Sequence, residues 1–182
     1  MGALTACSHG DPQRSVTPAA SANESSSPSP AKSVDPAEQL KQDNIDDAKA
    51  TLIDYYETGS EVANNSYEDW DRLQEYWGNP DVATPLASLY ESEKQAGNYT
   101  KGATKVISMN VTDYVDDPTD SGAEKVSIRA CVDTTGTTAF NKDGSRSEGG
   151  VDRYVNVYTM QHQGVDGPWR ISKDEPDMTR TC

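Results

Sequence analysis

Residues Lys125–Asp133 read KVSIRACVD, and their side chains alternate in character along the stretch. The residues on one face are apolar: Val126, Ile128, Ala130 and Val132. The other face carries Ser127, Arg129 and Cys131. Because successive side chains of a β-strand point to opposite sides, this alternation predicts a strand with one buried face.

Three further stretches rich in β-branched and aromatic residues predict strands as well. They are Lys105–Val115, Arg153–Gln163 and Trp169–Lys173. A turn cluster ends the first of them, and a glycine-rich, charged connection, Asn141–Gly150, comes before the second. We therefore expect four strands that pair mainly antiparallel, each with its neighbour in the chain.

Helical spacing dominates the chain before Gly97. A first helix is predicted from the cap Asp35-Pro36 to about Gly59, and its apolar stripe is Leu40, Ile45, Ala48, Leu52, Tyr55 and Tyr56. A second is predicted from a capping box at Ser66 and Asp69 to Gly78. A third is predicted from Thr84-Pro85 to a C-cap at Gly97.

Helices followed by antiparallel strands predict an α+β fold in which three N-terminal helices pack on a curved four-stranded sheet. This order, with the final strand Gly167-Pro168-Trp169-Arg170-Ile171, resembles the NTF2-like superfamily over about Asp35 to Glu175. The resemblance implies a cone-shaped domain with a pocket between helices and sheet, and pairing of two copies through the outer face. A cystatin-like sheet wrapped around one helix is the alternative.

The N-terminal stretch Leu4-Thr5-Ala6-Cys7 resembles the lipobox of bacterial lipoproteins, in which the cysteine is acylated before cleavage of the signal peptide. Only six residues precede Cys7, fewer than an export signal needs, so we expect an upstream start or a clipped sequence. Residues 8–34 are rich in serine and proline and predict a disordered tether. The predicted organisation is residual signal and lipobox in 1–7, tether in 8–34 and NTF2-like domain in 35–182.

The chain has three cysteines. If Cys7 is acylated, Cys131 and Cys182 remain as a pair, and a disulfide between them requires an oxidising, extracytoplasmic compartment. Two separate thiols are the alternative.

The chain has 182 residues and a formal net charge of -14, which excludes nucleic acid as a general partner because phosphate binding needs clustered cations. No apolar run approaches the roughly 20 residues of a membrane span. Membrane attachment is therefore expected through Cys7, on the outer face of the bacterial cytoplasmic membrane.

Several large side chains are candidates for a pocket between helices and sheet. They are Tyr56, Trp70, Trp77, Tyr90, Arg129, Tyr154 and Tyr158. Packing as ordinary core is the alternative for the aromatic ones. No pair of them has a spacing that identifies a catalytic acid and base.

Other chemical groups give weaker signals. His162 lies between two glutamines at a strand end, which predicts an exposed hairpin mouth instead of a catalytic site. The acidic groups at Asp113–Asp120 and Asp174–Asp177 lack the ligand spacing of an EF-hand and predict solvated turns. The sequence thus predicts no metal site and no cofactor.

The leading hypothesis is a non-enzymatic, lipid-anchored extracytoplasmic protein that binds a protein partner or a small apolar ligand. One alternative is a small enzyme of the isomerase or cyclase type, as the superfamily resemblance implies. It requires an Asp, Glu or His buried against the aromatic residues. Another is a phage-type superinfection-exclusion lipoprotein.

Overall fold

The computed structural model describes residues 35–148, 150–164 and 167–182. The predicted lipobox at Cys7 and the tether of residues 8–34 lie outside these residues. Helix α1 spans Pro36–Asn64, and its N-cap is Asp35, whose Oδ1 accepts a hydrogen bond from the backbone N–H of Ala37 at 3.0 Å. The predicted cap is confirmed, but the predicted end near Gly59 is wrong because the helix continues through that glycine.

The second helix is a short 3₁₀ helix, Trp70–Tyr76. Its predicted capping box at Ser66 and Asp69 is wrong, because Asp69 makes no side-chain hydrogen bond to the helix N-terminus. Ser66 and Tyr67 instead have positive φ angles of 56° and 60°, a backbone conformation that residues other than glycine rarely adopt. These two residues turn the chain back at the end of α1.

Helix α2 spans Pro80–Ala96 and begins one turn before its predicted start at Thr84-Pro85. The side chain of Asn79 accepts a hydrogen bond from the N–H of Val82 at 3.1 Å, and Pro80 occupies the first turn. This earlier pair supplies the cap and the proline of a helix start, so Pro85 lies inside the helix. The predicted C-cap at Gly97 is confirmed, with a φ of 72°.

The main sheet has four strands: β2, Lys105–Val115; β3, Lys125–Asp133; β5, Arg153–His162; and β6, Trp169–Asp177. They lie side by side in the order β2-β3-β5-β6, and all neighbours are antiparallel. Irregularities in the pairing of β2 with β3 and of β5 with β6 bend the sheet. The predicted α+β class, with three helices and a four-stranded antiparallel sheet, is confirmed.

A second, two-stranded sheet pairs β1, Tyr99–Gly102, with β4, Thr137–Phe140. The sequence did not predict it, because both strands have only four residues. The predicted connection 141–150 begins directly after the last residue of β4. The rings of Tyr99 and Phe140 stack across the pair of strands, with centroids 5.0 Å apart.

Replacement of Gly102 by alanine is expected to destabilise the β1-β4 pair. Gly102 has a φ of 99°, and a Cβ there would lie 1.9 Å from the carbonyl oxygen of Gly136. The strain should lower the free energy of unfolding by about 2 kcal/mol. Urea unfolding measures the loss, and Gly59→Ala is the control, since a Cβ at Gly59 meets nothing within 4 Å. Equal effects of the two substitutions would contradict the prediction.

The core lies between α1 and the inner face of the sheet. That face is fixed by the pairs Val132 with Tyr154, Ala130 with Asn156 and Ile128 with Tyr158 across β3 and β5. On the helix side, the buried residues are Ile45, Ala48, Leu52, Tyr55 and Val62. The four apolar residues predicted for the inner face of β3 are all fully buried.

Cys131 and Cys182 form a disulfide with a Cα–Cα distance of 5.8 Å. Cys131 lies on the outer face of β3, so the bond ties the C-terminal segment to that face. The backbone N–H of Val155 donates to the carbonyl of Arg180 at 3.1 Å and adds a second tie. The predicted pairing is confirmed, and the alternative of two separate thiols is wrong.

Candidate functional site

A cavity of about 350 Å³ lies between α1, α2 and the inner face of β5 and β6. Six of the nine tyrosines of the chain line it: Tyr55, Tyr56, Tyr67, Tyr90, Tyr154 and Tyr158. Its apolar lining includes Leu86, Leu89, Pro176 and Met178, and its polar lining includes Asn156 and Asp174. The walls therefore combine six aromatic rings with aliphatic and polar side chains, and Asp174 is the carboxylate among them.

A chain of hydrogen bonds connects the polar groups of this cavity. The hydroxyls of Tyr56 and Tyr158 lie 2.5 Å apart, and Asn156 Nδ2 donates to the Tyr158 hydroxyl at 2.5 Å. The same Nδ2 donates to Asp174 Oδ1 at 2.8 Å. Asn156 is only 3% exposed, and its Oδ1 is buried without a hydrogen-bond partner among the described residues. The network holds Asp174 in place and leaves one buried acceptor unused.

A break in the register of β6 places Asp174 on the inner face. Ile171 pairs with Met160, but the next pair is Lys173 with Thr159, so Ser172 is an extra residue in the strand. Simple alternation from Ile171 would have put Lys173 and Glu175 inside. The bulge reverses this alternation, and Asp174 faces Tyr158 while Lys173 and Glu175 are exposed.

Contacts from the loop before α2 surround this bulge. Asn79 Nδ2 donates to the carbonyl of Ser172 at 2.8 Å, and the N–H of Gly78 donates to the carbonyl of Ile171 at 2.8 Å. The Ser172 hydroxyl donates to the carbonyl of Thr159 at 3.0 Å. These bonds fix the position of the carboxylate that follows.

Burial sets the ionisation of the cavity groups. Loss of solvation raises the pKa of Asp174, although the hydrogen bond from Asn156 opposes the shift. Burial also raises the pKa of five tyrosines, and the negative charge of Asp174 raises it further: Tyr55, Tyr56, Tyr90, Tyr154 and Tyr158. The tyrosines are therefore neutral donors at neutral pH, all within the field of one carboxylate.

Asp174→Asn is expected to change how stability depends on pH. The folded protein holds the Asp174 proton more tightly than the unfolded chain does, because its pKa is raised. Stability from this group is fully present below the ordinary pKa of about 3.9 and is lost as the pH rises through the raised pKa.

An asparagine at position 174 keeps an oxygen that can accept the hydrogen bond from Asn156 Nδ2, but it carries no charge. The variant should therefore be more stable than wild type at pH 7 and equally stable at pH 3, in thermal unfolding at both values. A difference between the two proteins that is the same at pH 3 and pH 7 would contradict the prediction.

The structure brings together four of the seven predicted pocket residues: Tyr56, Tyr90, Tyr154 and Tyr158. Trp77 packs behind the cavity with its ring stacked on Tyr90 at 6.1 Å, and Trp70 stacks on Trp77 at 6.4 Å. The two tryptophans therefore support the wall without lining it.

Arg129 lies away from the cavity. It pairs with Val157 on the outer face of the sheet, and its side chain is exposed. The alternation within β3 already pointed to the outer face for this residue, and the prediction that Arg129 lines the pocket is wrong.

Sequence reasoning missed Tyr55, Tyr67, Asn156 and Asp174. Tyr55 could have been found because it lies on the same helix face as Leu52. Asn156 could have been found because it lies on the same strand face as Tyr154. Tyr67 reaches the cavity only because of its positive φ, and its ring stacks on Tyr90 at 5.9 Å. Asp174 could not have been found, since its orientation depends on the bulge.

Gly59 lies inside α1, near its C-terminal end, and lines the same cavity. A glycine in a helix interior lowers stability by about 1 kcal/mol relative to alanine. Space does not require a glycine at this position, because a Cβ would meet no atom within 4 Å. The missing side chain leaves open space in the cavity wall.

The remaining sequence candidates lie elsewhere. His162 is outside the cavity lining, at the end of β5, with its ring 5.2 Å from that of Trp169. The Asp117 carboxylate accepts hydrogen bonds from Thr119, Ser121 and Ala123, which lower its pKa and close the turn. Asp174, predicted to lie in a solvated turn, is instead partly buried in β6. Within the described ranges, no group of three or more potential ligands could hold a metal ion.

A larger space of about 730 Å³ lies beside the start of α2. Its lining includes the exposed residues Asp81, Pro85, Lys173 and Glu175, so it is an open surface groove with both signs of charge. Leu86, Asp174 and Pro176 line both spaces, and of the two the tyrosines line only the cavity.

No protein-family model matches the chain, and no curated protein is significantly similar to it. In the part of the chain that the structure describes, no helix is long and apolar enough to cross a membrane.

Proposed function

We propose that the chain is a lipid-anchored extracytoplasmic binding protein whose NTF2-like domain takes a small, largely apolar ligand. The observation that carries the proposal is the 350 Å³ cavity lined by six tyrosines between the helices and the sheet. Ligand pockets of soluble proteins start at about 300 Å³ and combine apolar walls with a few fixed polar groups.

The wall chemistry supports a binding role. Each tyrosine offers a ring to apolar groups of a ligand and a neutral hydroxyl as donor or acceptor. The hydrogen-bonded chain from Tyr56 to Asp174 fixes these polar groups before any ligand arrives. A fixed arrangement lowers the entropy cost of binding.

Two features support the NTF2-like assignment. The order of elements, three helices and then an antiparallel sheet, is the order that the resemblance implies. The cavity also lies between the helices and the inner face of the sheet, where the superfamily has its pocket.

The anchor is supported by the Leu4-Thr5-Ala6-Cys7 stretch and by the Cys131–Cys182 disulfide, which fits an oxidising compartment. Fractionation of the producing cells tests it. The wild-type chain should sediment with the membranes, and Cys7→Ala should appear in the soluble extracytoplasmic fraction. A Cys7→Ala protein that stays with the membranes would refute lipid anchoring.

Binding is tested with 1-naphthol as the probe on the full chain. Gly59→Leu should place a side chain in the cavity and abolish the chemical-shift changes that the probe causes in wild type. Ala50→Leu adds the same side chain at an exposed position of α1 and should bind like wild type. If 1-naphthol binds Gly59→Leu as well as wild type, or does not bind wild type, the cavity is not the site.

One observation favours a second candidate, a proton-transfer enzyme of the isomerase type. Asp174 is a carboxylate with a raised pKa, and Asn156 Nδ2 connects it to the Tyr158 hydroxyl, which resembles the pairing of a base with a donor to a developing enolate. Conversion of a 3-ketosteroid such as 5-androstene-3,17-dione, lost in Asp174→Asn, would support this candidate. No conversion above the uncatalysed rate would exclude this substrate.

A further inference from the structure

We propose that the ligand of the tyrosine-lined cavity is an organic cation, an amine or quaternary ammonium group with apolar substituents. This inference rests on the proposed binding function and adds the chemical class of the ligand. It is carried by the ring geometry, by the charges of the lining and by the overall charge of the chain.

Several aromatic rings line the cavity. Tyr56 meets Tyr158 nearly at a right angle, 85° with centroids 6.3 Å apart, and it meets Tyr55 at 67° and 5.5 Å. The face of an aromatic ring carries a negative potential, which attracts a cation. Cavities walled by several aromatic rings bind ammonium groups.

The described lining of the cavity carries a negative charge and no positive one. Asp174 is the carboxylate of the lining, and among the described residues no lysine or arginine lines the cavity. Asp174 also forms no ion pair within the described part of the chain. A partly buried carboxylate without a cation is costly, and a bound cation would compensate for it.

The cations of the protein occupy other rings. Lys41 lies over Tyr114 at 5.4 Å, and Lys101 lies over Phe140 at 5.5 Å. Across the described ranges, none lies over a tyrosine of the cavity. A cation from solution would therefore not compete with a lysine of these ranges for the rings of the cavity.

Two further properties favour the same ligand class. Asn156 Oδ1 is a buried acceptor that has no hydrogen-bond partner among the described residues, so it adds negative potential near Asp174. The net charge of -14 raises the local concentration of cations and repels anions.

The experiment compares choline with 3,3-dimethylbutan-1-ol, which has the same shape but no charge. Both are titrated into the full chain, and binding is measured by NMR and calorimetry. Choline should bind at least about tenfold more tightly than the alcohol, as expected for cation–π and carboxylate contacts together. Raising the salt concentration should weaken choline binding and leave binding of the alcohol unchanged.

Asp174→Asn should reduce the preference for choline and keep binding of the alcohol. Glu175→Gln is the matched control, because Glu175 is the next residue, exposed, and paired with Lys173 at 2.9 Å outside the cavity. It should bind both probes like wild type. Tyr56→Leu is a second variant, which removes one ring and one hydroxyl but keeps Asp174 and its hydrogen bond from Asn156, and it should also weaken choline binding selectively.

The outcomes separate the two proposals. Equal affinity for both probes, unchanged by Asp174→Asn, would overturn the cation inference and leave the binding function intact. No binding of either probe or of 1-naphthol to wild type would overturn both. Selective choline binding that Glu175→Gln reduces as much as Asp174→Asn would place the cation outside the cavity and overturn the inference.

Discussion

The double variant Cys131→Ser/Cys182→Ser is expected to lose about 4 kcal/mol of unfolding free energy relative to the oxidised wild type. The two cysteines are 51 residues apart in sequence, so the bond closes a long loop and restricts the unfolded chain. The loop contains β4, β5 and β6, and thus half of the main sheet. Equilibrium unfolding in urea, with and without reductant, measures the loss.

Reductant provides the control for this experiment. It should destabilise the wild type by a similar amount and leave the double variant unchanged, because that protein has no disulfide in this loop. A loss below about 1 kcal/mol would mean that the C-terminal segment is held by other contacts and that the unfolded chain gains little freedom.

Leu52→Ala is expected to lower the free energy of unfolding by about 2 to 5 kcal/mol. Leu52 is 0% exposed in the cluster between α1 and the sheet, so truncation removes buried apolar surface and leaves a cavity. Urea unfolding followed by circular dichroism at 222 nm measures the effect.

Leu40→Ala is the matched control for this prediction. Leu40 lies on the same helix but is 62% exposed, so its truncation should change stability by less than about 0.5 kcal/mol. Equal losses at the two positions would contradict the prediction, because burial in the core would then not determine the effect.

Leu40 also shows a limit of pattern analysis. It fits the apolar stripe of α1, yet it is 62% exposed. Spacing along a helix predicts which residues share a face, but the contacts with other elements decide which of them are buried.

Local patterns determined most of the architecture. Alternation in Lys125–Asp133 defined the central strand and its buried face, and Asp35-Pro36 and Gly97 marked two helix ends. These features depend on residues adjacent in sequence, so the chain alone contains the information. The same analysis placed four tyrosines in the cavity, because strand alternation and helix spacing assign faces directly.

Only the tertiary structure determined the chemistry of the site. Ser172 bulges because β6 must pair with β5 and also accept hydrogen bonds from the loop before α2, and this one residue turns Asp174 inward. Tyr67 reaches the cavity through a turn that its own sequence does not favour. Both depend on contacts between distant segments, which the order of residues along a single segment does not reveal.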